Sequence, residues 1–260
     1  MSEQLVGALI GLGGAFVGVL ATAVIARWTH RELQTQETAD TFREMIEKLV
    51  DARIVSTNVF SENSRDVARR EFLSAAVNAK RQLYKSTAHR MLARASKELT
   101  ANDYLALGYE YQQDAEFEPA QQCYLAALKL RGKSRLEEVN VRRHLGALYL
   151  SPTVLHDRER GERYFREAIG LTSGQTDDYS RYSTGYTEEM LSMSLLANRY
   201  PGSEAAIQAA RASYEAMDSR NVLRQAAIDS LNLRLQPTGQ VIPVPPSTTP
   251  PRPPDVVTSP

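Results

Sequence analysis

The sequence predicts an all-α protein, and three observations carry that prediction. Residues 5–26 form an unbroken apolar run of membrane-helix length. Residues 31–99 contain neither Pro nor Gly and repeat their apolar side chains at helical spacing. From Ala101 onward, small and aromatic residues alternate as they do where antiparallel helices cross closely. Four segments follow in order: a transmembrane anchor (1–28), a helical connector (29–99), a helical repeat domain (100–236) and a disordered proline-rich tail (237–260).

Composition excludes several function classes. The 260 residues carry 31 basic and 31 acidic side chains, and zero net charge argues against a general nucleic-acid binder. With 42% hydrophobic and 24% charged residues, the chain is neither wholly disordered nor a polytopic membrane protein. The single cysteine, Cys123, excludes an intramolecular disulfide framework and a multi-cysteine zinc site.

The anchor comes first. Leu5 to Ala26 holds no charged residue, and Thr22 is its only polar side chain. At 1.5 Å per residue the run reaches roughly 33 Å, enough for a hydrocarbon core of about 30 Å. Arg27 and Trp28 follow it directly, as residues of the membrane interface do. Ala21-Thr22-Ala23 could be cleaved as a signal-peptide site, but Met1 to Gln4 offers only Glu3 where such peptides begin with basic residues. An uncleaved single-pass anchor is therefore expected. Arg27 and Arg31 lie downstream with no Lys or Arg upstream, which predicts a cytoplasmic soluble domain. Gly7 and Gly11, and again Gly14 and Gly18, form small-xxx-small faces through which two such helices could dimerise. The Gly11-Leu12-Gly13 segment is no nucleotide loop, because it sits at bilayer depth without a preceding strand.

In the connector, Phe42, Met45, Ile46 and Leu49 recur at helical spacing. A break is expected near Asn58 to Ser64. A second stripe then runs through Leu73, Ala76, Val77, Leu83, Tyr84, Ala88, Met91, Leu92, Ala95 and Leu99 with a coiled-coil-like period. The stripe can be covered by the repeats that follow, by a second copy or by another protein.

The repeat domain opens at Thr100 and Asp103, which have capping-box spacing. Tyr104, Leu107, Gly108 and Tyr111 then mark one helix, and Ala120, Tyr124 and Ala127 mark a second, with a turn around Ala115 to Phe117. Gly132 closes the unit. This spacing resembles the tetratricopeptide repeat, a helix-turn-helix unit of about 34 residues. All seven positions of that pattern are filled, with Tyr104 in place of the usual Trp and Gly132 in place of the closing Pro. A second unit matches at Leu145, Gly146, Tyr149, Gly161, Phe165 and Ala168, with Arg142 where the aromatic opener would stand and a longer turn at Ser151 to His156. The step from Gly108 to Gly146 is slightly longer than the family period. A third hairpin is expected from Tyr186 to Arg199 and from an N-cap at Ser203 to about Met217, without the Leu-Gly-Tyr signature. A final helix from about Arg220 to Leu235 would close the stack. Thr172 to Gly185, rich in Ser, Thr, Tyr, Asp and Gly, reads as a loop.

The resemblance implies that the first helix of each pair lines a concave groove for a peptide or helix. The partner-binding candidates are then Asn102, Leu105, Tyr109 and Gln112 from the first unit and Asn140, Arg143 and Ala147 from the second. A subset of that family clamps C-terminal carboxylates with Lys, Asn and Arg. Leu105, Tyr109 and His144 hold those places here, so that chaperone-tail ligand is not expected.

No catalytic, cofactor or metal site is expected. His30, His89, His144 and His156 are widely separated and make no ligand pair with one another or with Cys123. Asp177-Asp178 reads as two solvated acids in a loop. No helix start or basic neighbour activates Cys123, and neither a nucleophile elbow nor a phosphate-loop lysine is present. The tail holds nine of the twelve prolines and no aromatic residue, with PxxP spacing at Pro243 to Pro246 and Pro250 to Pro253. These expectations describe a membrane-anchored scaffold or adaptor with a protein or peptide partner and no enzymatic activity. The alternative is an envelope assembly factor or chaperone accessory with the same anchor and its repeats on the extracytoplasmic side.

Overall fold

The computed structural model describes residues 34–59 and 66–235, and these form nine helices with no strand among them. The predicted anchor at 5–26, its four spaced glycines and the tail at 237–260 lie outside the described residues. Among the described residues, no helix is long and apolar enough to cross a membrane. The chain divides into two units, residues 1–99 and residues 100–260.

In the first unit, α1 (34–59) buries Ala39, Phe42, Ile46 and Leu49, three or four residues apart on one face. Asp66 caps α2 (Val67–Ala95) by accepting the backbone N–H of Arg69 at 3.0 Å. The two helices run antiparallel: Arg43 Nη2 donates to the Glu98 carbonyl at 3.0 Å, and Lys48 lies near Tyr84. Two members of the expected α2 stripe are misplaced. Leu83 is 60% exposed and Ala76 is exposed, while Lys85 is buried. The inward face runs through Tyr84, Ala88, Met91 and Ala95, and Leu83 stands one residue, about 100°, away from it.

The second unit is a run of antiparallel helix pairs. The first pair is α3 (Ala101–Gln113) and α4 (Phe117–Lys129), the second α5 (Arg135–Leu150) and α6 (Arg158–Thr172), the third α7 (Asp178–Ala197) and α8 (Ser203–Glu215). A last helix, α9 (Val222–Leu235), follows. Capping boxes start α3 and α5. Thr100 Oγ1 accepts from Asp103 N at 3.3 Å while Asp103 accepts from Thr100 N at 2.8 Å. Ser134 and Glu137 repeat the exchange at 3.2 and 2.7 Å. Each such cap is worth about 1 kcal/mol. Asp157 and Asp177 cap α6 and α7. Ser203 is the first residue of α8 rather than its cap. The cap position is Gly202 at φ +100°, a conformation that glycine adopts without strain.

Within each pair, a glycine of the first helix sits under an aromatic ring of the second. A Cβ on Gly108 would lie 2.5 Å from Tyr124 Cε1, and one on Gly146 would lie 2.6 Å from Phe165 Cδ2. The third pair repeats the device, with 2.6 Å from a Cβ on Gly185 to Tyr214 Cε1. Tyr124, Phe165 and Tyr214 are all buried, as are the small residues four positions earlier, Ala120, Gly161 and Ala210. Gly108, Gly146 and Gly185 recur at nearly equal steps along the chain, so the third pair belongs to the same repeat. The opener position also ties the pair together, by different chemistry each time. Tyr104 is buried, Arg142 bridges Glu138 and Glu167, and Arg181 donates to the Ala216 carbonyl.

The segment read as a loop from Thr172 to Gly185 is a loop only at residues 173–177, and α7 begins eight residues before the expected Tyr186. Its hydroxyls misled the reading. Thr184 and Thr187 fold their Oγ1 back onto the carbonyls of Ser180 and Ser183 at 2.9 and 2.7 Å. Thr184 and Thr187 are thereby buried as apolar residues would be, Ser192 is buried with its Oγ donating to the Ser203 carbonyl at 2.8 Å, and Ser180 and Ser183 are buried on the same helix.

The first helices α3, α5 and α7 touch one another in sequence, and α9 packs on α7 and α8 where a fourth would stand. The second helices α4, α6 and α8 make no packed contact with each other. This is the packing of a helical repeat, with α3, α5, α7 and α9 as its inner layer. A buried ion pair fixes the end: Arg234 of α9 pairs with Glu189 of α7, whose other oxygen accepts from Tyr214 Oη at 2.8 Å.

Candidate functional site

Counted from its glycine, each inner helix presents the residues at −6, −3 and +1 on one face, because these steps are close to whole helical turns. In α5 those positions are Asn140, Arg143 and Ala147; in α7 they are Tyr179, Tyr182 and Tyr186. Where α5 meets α7 a small, open cleft forms. Leu136, Asn140 and Arg143 line one wall, and Tyr179, Tyr182, Ser183 and Tyr186 line the other.

Arg143 is the centre of the site. Its side chain is 6% exposed. Nη2 donates to Asn140 Oδ1 at 2.6 Å, and Cζ stands 4.4 Å from the centroid of the Tyr186 ring. That distance is a cation–π contact. Nε–H is buried with no acceptor, and no carboxylate among the described residues pairs with the guanidinium. Burial pulls the group below its ordinary pKa, opposed by the surrounding Tyr186, Tyr182, Tyr214 and Tyr179. Arginine nonetheless keeps its charge at any physiological pH. The hydroxyls of Tyr179, Tyr182 and Tyr186 make no hydrogen bond to another described residue. Tyr182 and Tyr186 stack, with centroids 6.3 Å apart and ring planes 4° from parallel.

Of the residues singled out from the sequence, Asn140 and Arg143 therefore meet in one cleft. Ala147 packs instead toward the cluster of Leu150, Phe165 and Leu195. The four candidates on α3 do not line the cleft. Asn102 is exposed, Leu105 and Tyr109 are buried at 8% and 3% exposure, and the Gln112 side chain accepts from Tyr124 Oη at 2.9 Å. His144, expected at a helix surface or groove, stacks on Tyr124 at 5.4 Å and meets Tyr109 edge-on at 6.1 Å. Burial, aided by the adjacent Arg143 charge, holds its pKa down to about 3, so it is neutral at pH 7.

Tyr179, Tyr182 and Tyr186 are the residues that sequence reasoning missed. The signal was present: Gly185 follows Gly146 by almost the same step that separates Gly146 from Gly108. The three tyrosines then occupy the same offsets as Asn140, Arg143 and Ala147. Asp177 and Asp178, read as solvated acids in a loop, stand at the start of α7, Asp177 exposed and Asp178 half-buried, and both also hold structure. Asp177 caps α7, and Asp178 accepts from Asp218 N at 3.0 Å and Asn221 Nδ2 at 2.8 Å, which orders the turn before α9. Cys123 is buried, and burial pushes its thiol up to about 12, so it is no nucleophile at neutral pH. Among the described residues, no group of three His, Cys, Asp or Glu side chains could hold a metal ion.

The arrangement can therefore grip a ligand by aromatic faces, hydroxyl donors and one buried cation. No protein-family model matches the chain, and no curated protein and no solved structure shows significant similarity to it.

Proposed function

We propose that this protein is a membrane-anchored, non-enzymatic adaptor whose tetratricopeptide-like repeats take a protein or peptide partner against the inner face of α5 and α7. The observation that carries the reading is the cleft itself. It gathers three tyrosines with unused hydroxyls around a cation that has no counter-charge among the described residues, on the layer where such repeats bind extended segments. Tyrosine and arginine are the side chains that dominate protein interfaces energetically. The recurrence of the glycine-and-ring device at nearly equal steps supports the family resemblance. The apolar run at 5–26, followed by Arg27, Trp28 and Arg31, supports single-pass anchoring with the repeats in the cytoplasm, and the glycine pairs within it support a dimer. Anchoring at a surface raises the local concentration of any partner that shares that surface.

The test is a selection of peptides from a random library on the full-length protein in detergent micelles. Selected peptides are then titrated against the wild type and against Tyr179→Ser/Tyr186→Ser. The reading expects at least about a tenfold loss in the double variant, as for removal of interface anchors. Peptides that bind both proteins equally, or no selectable peptide at all, would remove the cleft as a partner site. A reporter fused after residue 235 reads the orientation, since its activity depends on the compartment.

A further inference from the structure

The unused bonding capacity of Arg143 narrows the class of ligand. A buried guanidinium is costly to desolvate unless it is paired. Glu189 and Arg142, also in the second unit, are paired, the first with Arg234 and the second with Glu138 and Glu167. Arg143 has only neutral company, one carboxamide and one ring face, and its Nε–H points to no acceptor. Among the described residues that line the cleft it is the one cation, and uncommitted tyrosine hydroxyls surround it.

Resting on the adaptor reading above, we propose that the cleft is an anion subsite that takes a single carboxylate of an extended peptide, with Arg143 as its counter-charge and the tyrosine hydroxyls as further donors. A carboxylate matches the planar fork of the guanidinium and brings the one negative charge that one buried cation can neutralise. A phosphate dianion asks for more positive charge than this lining holds. The apolar walls, Leu136 and the stacked faces of Tyr182 and Tyr186, suit the methylenes beside a carboxylate rather than a fully hydrated anion. The places that clamp a chain terminus in the tetratricopeptide family hold Leu105, Tyr109 and His144 here, so the source of the carboxylate is an acidic side chain.

The test uses the full chain in micelles, labelled with ¹⁵N-arginine, and follows the Arg143 Nε–H resonance, assigned by its loss in Arg143→Lys. The probes are acetate, an acetylated and amidated alanine peptide with one central Glu, its Gln counterpart, and the all-alanine peptide with a free C-terminus. A carboxylate that accepts from Nε–H moves the resonance downfield. The Glu peptide should bind about 10- to 150-fold more tightly than the Gln peptide if side chains are the source, the range that a charge-assisted hydrogen bond supplies. A free-terminus peptide that binds more tightly than the Glu peptide refutes that source and overturns the proposal. Equal binding of Glu, Gln and free-terminus peptides overturns the proposal. So does a resonance that none of the probes moves, or one that inorganic phosphate moves at lower concentration than acetate. The binding readout is the wild-type protein's own resonance, and Arg143→Lys serves only to assign it. Groove-dependent peptides without preference for a carboxylate would sink this subsite and leave the adaptor reading intact. Absence of any groove-dependent peptide would sink the adaptor reading itself.

Discussion

Replacing Gly185 with alanine adds one methyl group at a place where the structure leaves no room for it. The new Cβ would stand 2.6 and 2.8 Å from Tyr214 Cε1 and Cδ1 and 3.1 Å from the Ala210 carbonyl oxygen. The ring cannot swing aside, because Tyr214 is 1% exposed and its hydroxyl is held by Glu189 at 2.8 Å. The carbonyl belongs to the backbone of α8 and moves only if the helix moves. Overpacking of a rigid core costs about 1–3 kcal/mol, and this site belongs at the upper end. Alanine returns about 1 kcal/mol through helix propensity, which leaves a net loss of about 2 kcal/mol. Gly170 is the internal control. It is exposed near the end of α6 with nothing within 4 Å of an added Cβ, so Gly170→Ala should gain about 0.5–1 kcal/mol. The same chemical change is thus expected to have opposite signs at two helical glycines. Thermal unfolding of the full chain, followed by helical circular dichroism, should place Gly185→Ala about 4–8 °C below the wild type and Gly170→Ala slightly above it. If Gly185→Ala melts at or above the wild type, the glycine-under-ring contact does not hold α7 to α8.

Two titratable groups, half-buried His144 and buried Glu189, give further outcomes. In the unfolded chain His144 takes up a proton near pH 6.5, while in the fold it resists one until about pH 3, so the unfolded state binds more protons throughout that window. Relative to His144→Phe, the wild type should therefore lose about 1.4 kcal/mol per pH unit as pH falls through that window, measured by urea unfolding at a series of pH values; a pH-independent difference refutes the assignment. Arg234→Met should destabilise by about 3 kcal/mol at neutral pH, since it strands the buried Glu189 carboxylate. Burial already raises the Glu189 pKa against the pull of Arg234 and Tyr214, so without Arg234 the fold favours the protonated acid and the deficit should shrink as pH is lowered. A deficit that grows on acidification would contradict this.

The parts of the fold that could be read from the sequence are those where one residue type has one packing use. Gly108 with Tyr124, and Gly146 with Phe165, lie close enough in sequence for the pattern of a short hairpin to be visible. In the third pair Gly185 and Tyr214 stand much farther apart, because α7 is 20 residues long where α3 has 13. The buried position before the glycine also changes from Leu107 and Leu145 to Thr184, a threonine that hides its polarity in its own helix. Spacing and residue type thus failed together, and with them went the tyrosine wall of the cleft. Asn140 and Arg143 were legible because they share a helix with an intact signature. That they face tyrosines, and that Arg143 is buried without a carboxylate, depends on the approach of α5 and α7, which no local pattern encodes. The misplacement of Leu83 has a smaller cause: a long helix with apolar residues on several sides leaves its inward face ambiguous by one position.

The inner helices adjoin one another in series, whereas α4, α6 and α8 stand apart. Neighbouring hairpins, stacked like leaves, are therefore joined through their inner helices and through the packing of α4 on α5 and of α6 on α7, while their outer helices part. A small tilt between the second and third leaves would widen or narrow the gap between Arg143 and its tyrosines while the glycine-and-ring seams inside each leaf stay closed. Ligand size could be accommodated by fanning the stack rather than by unpicking it.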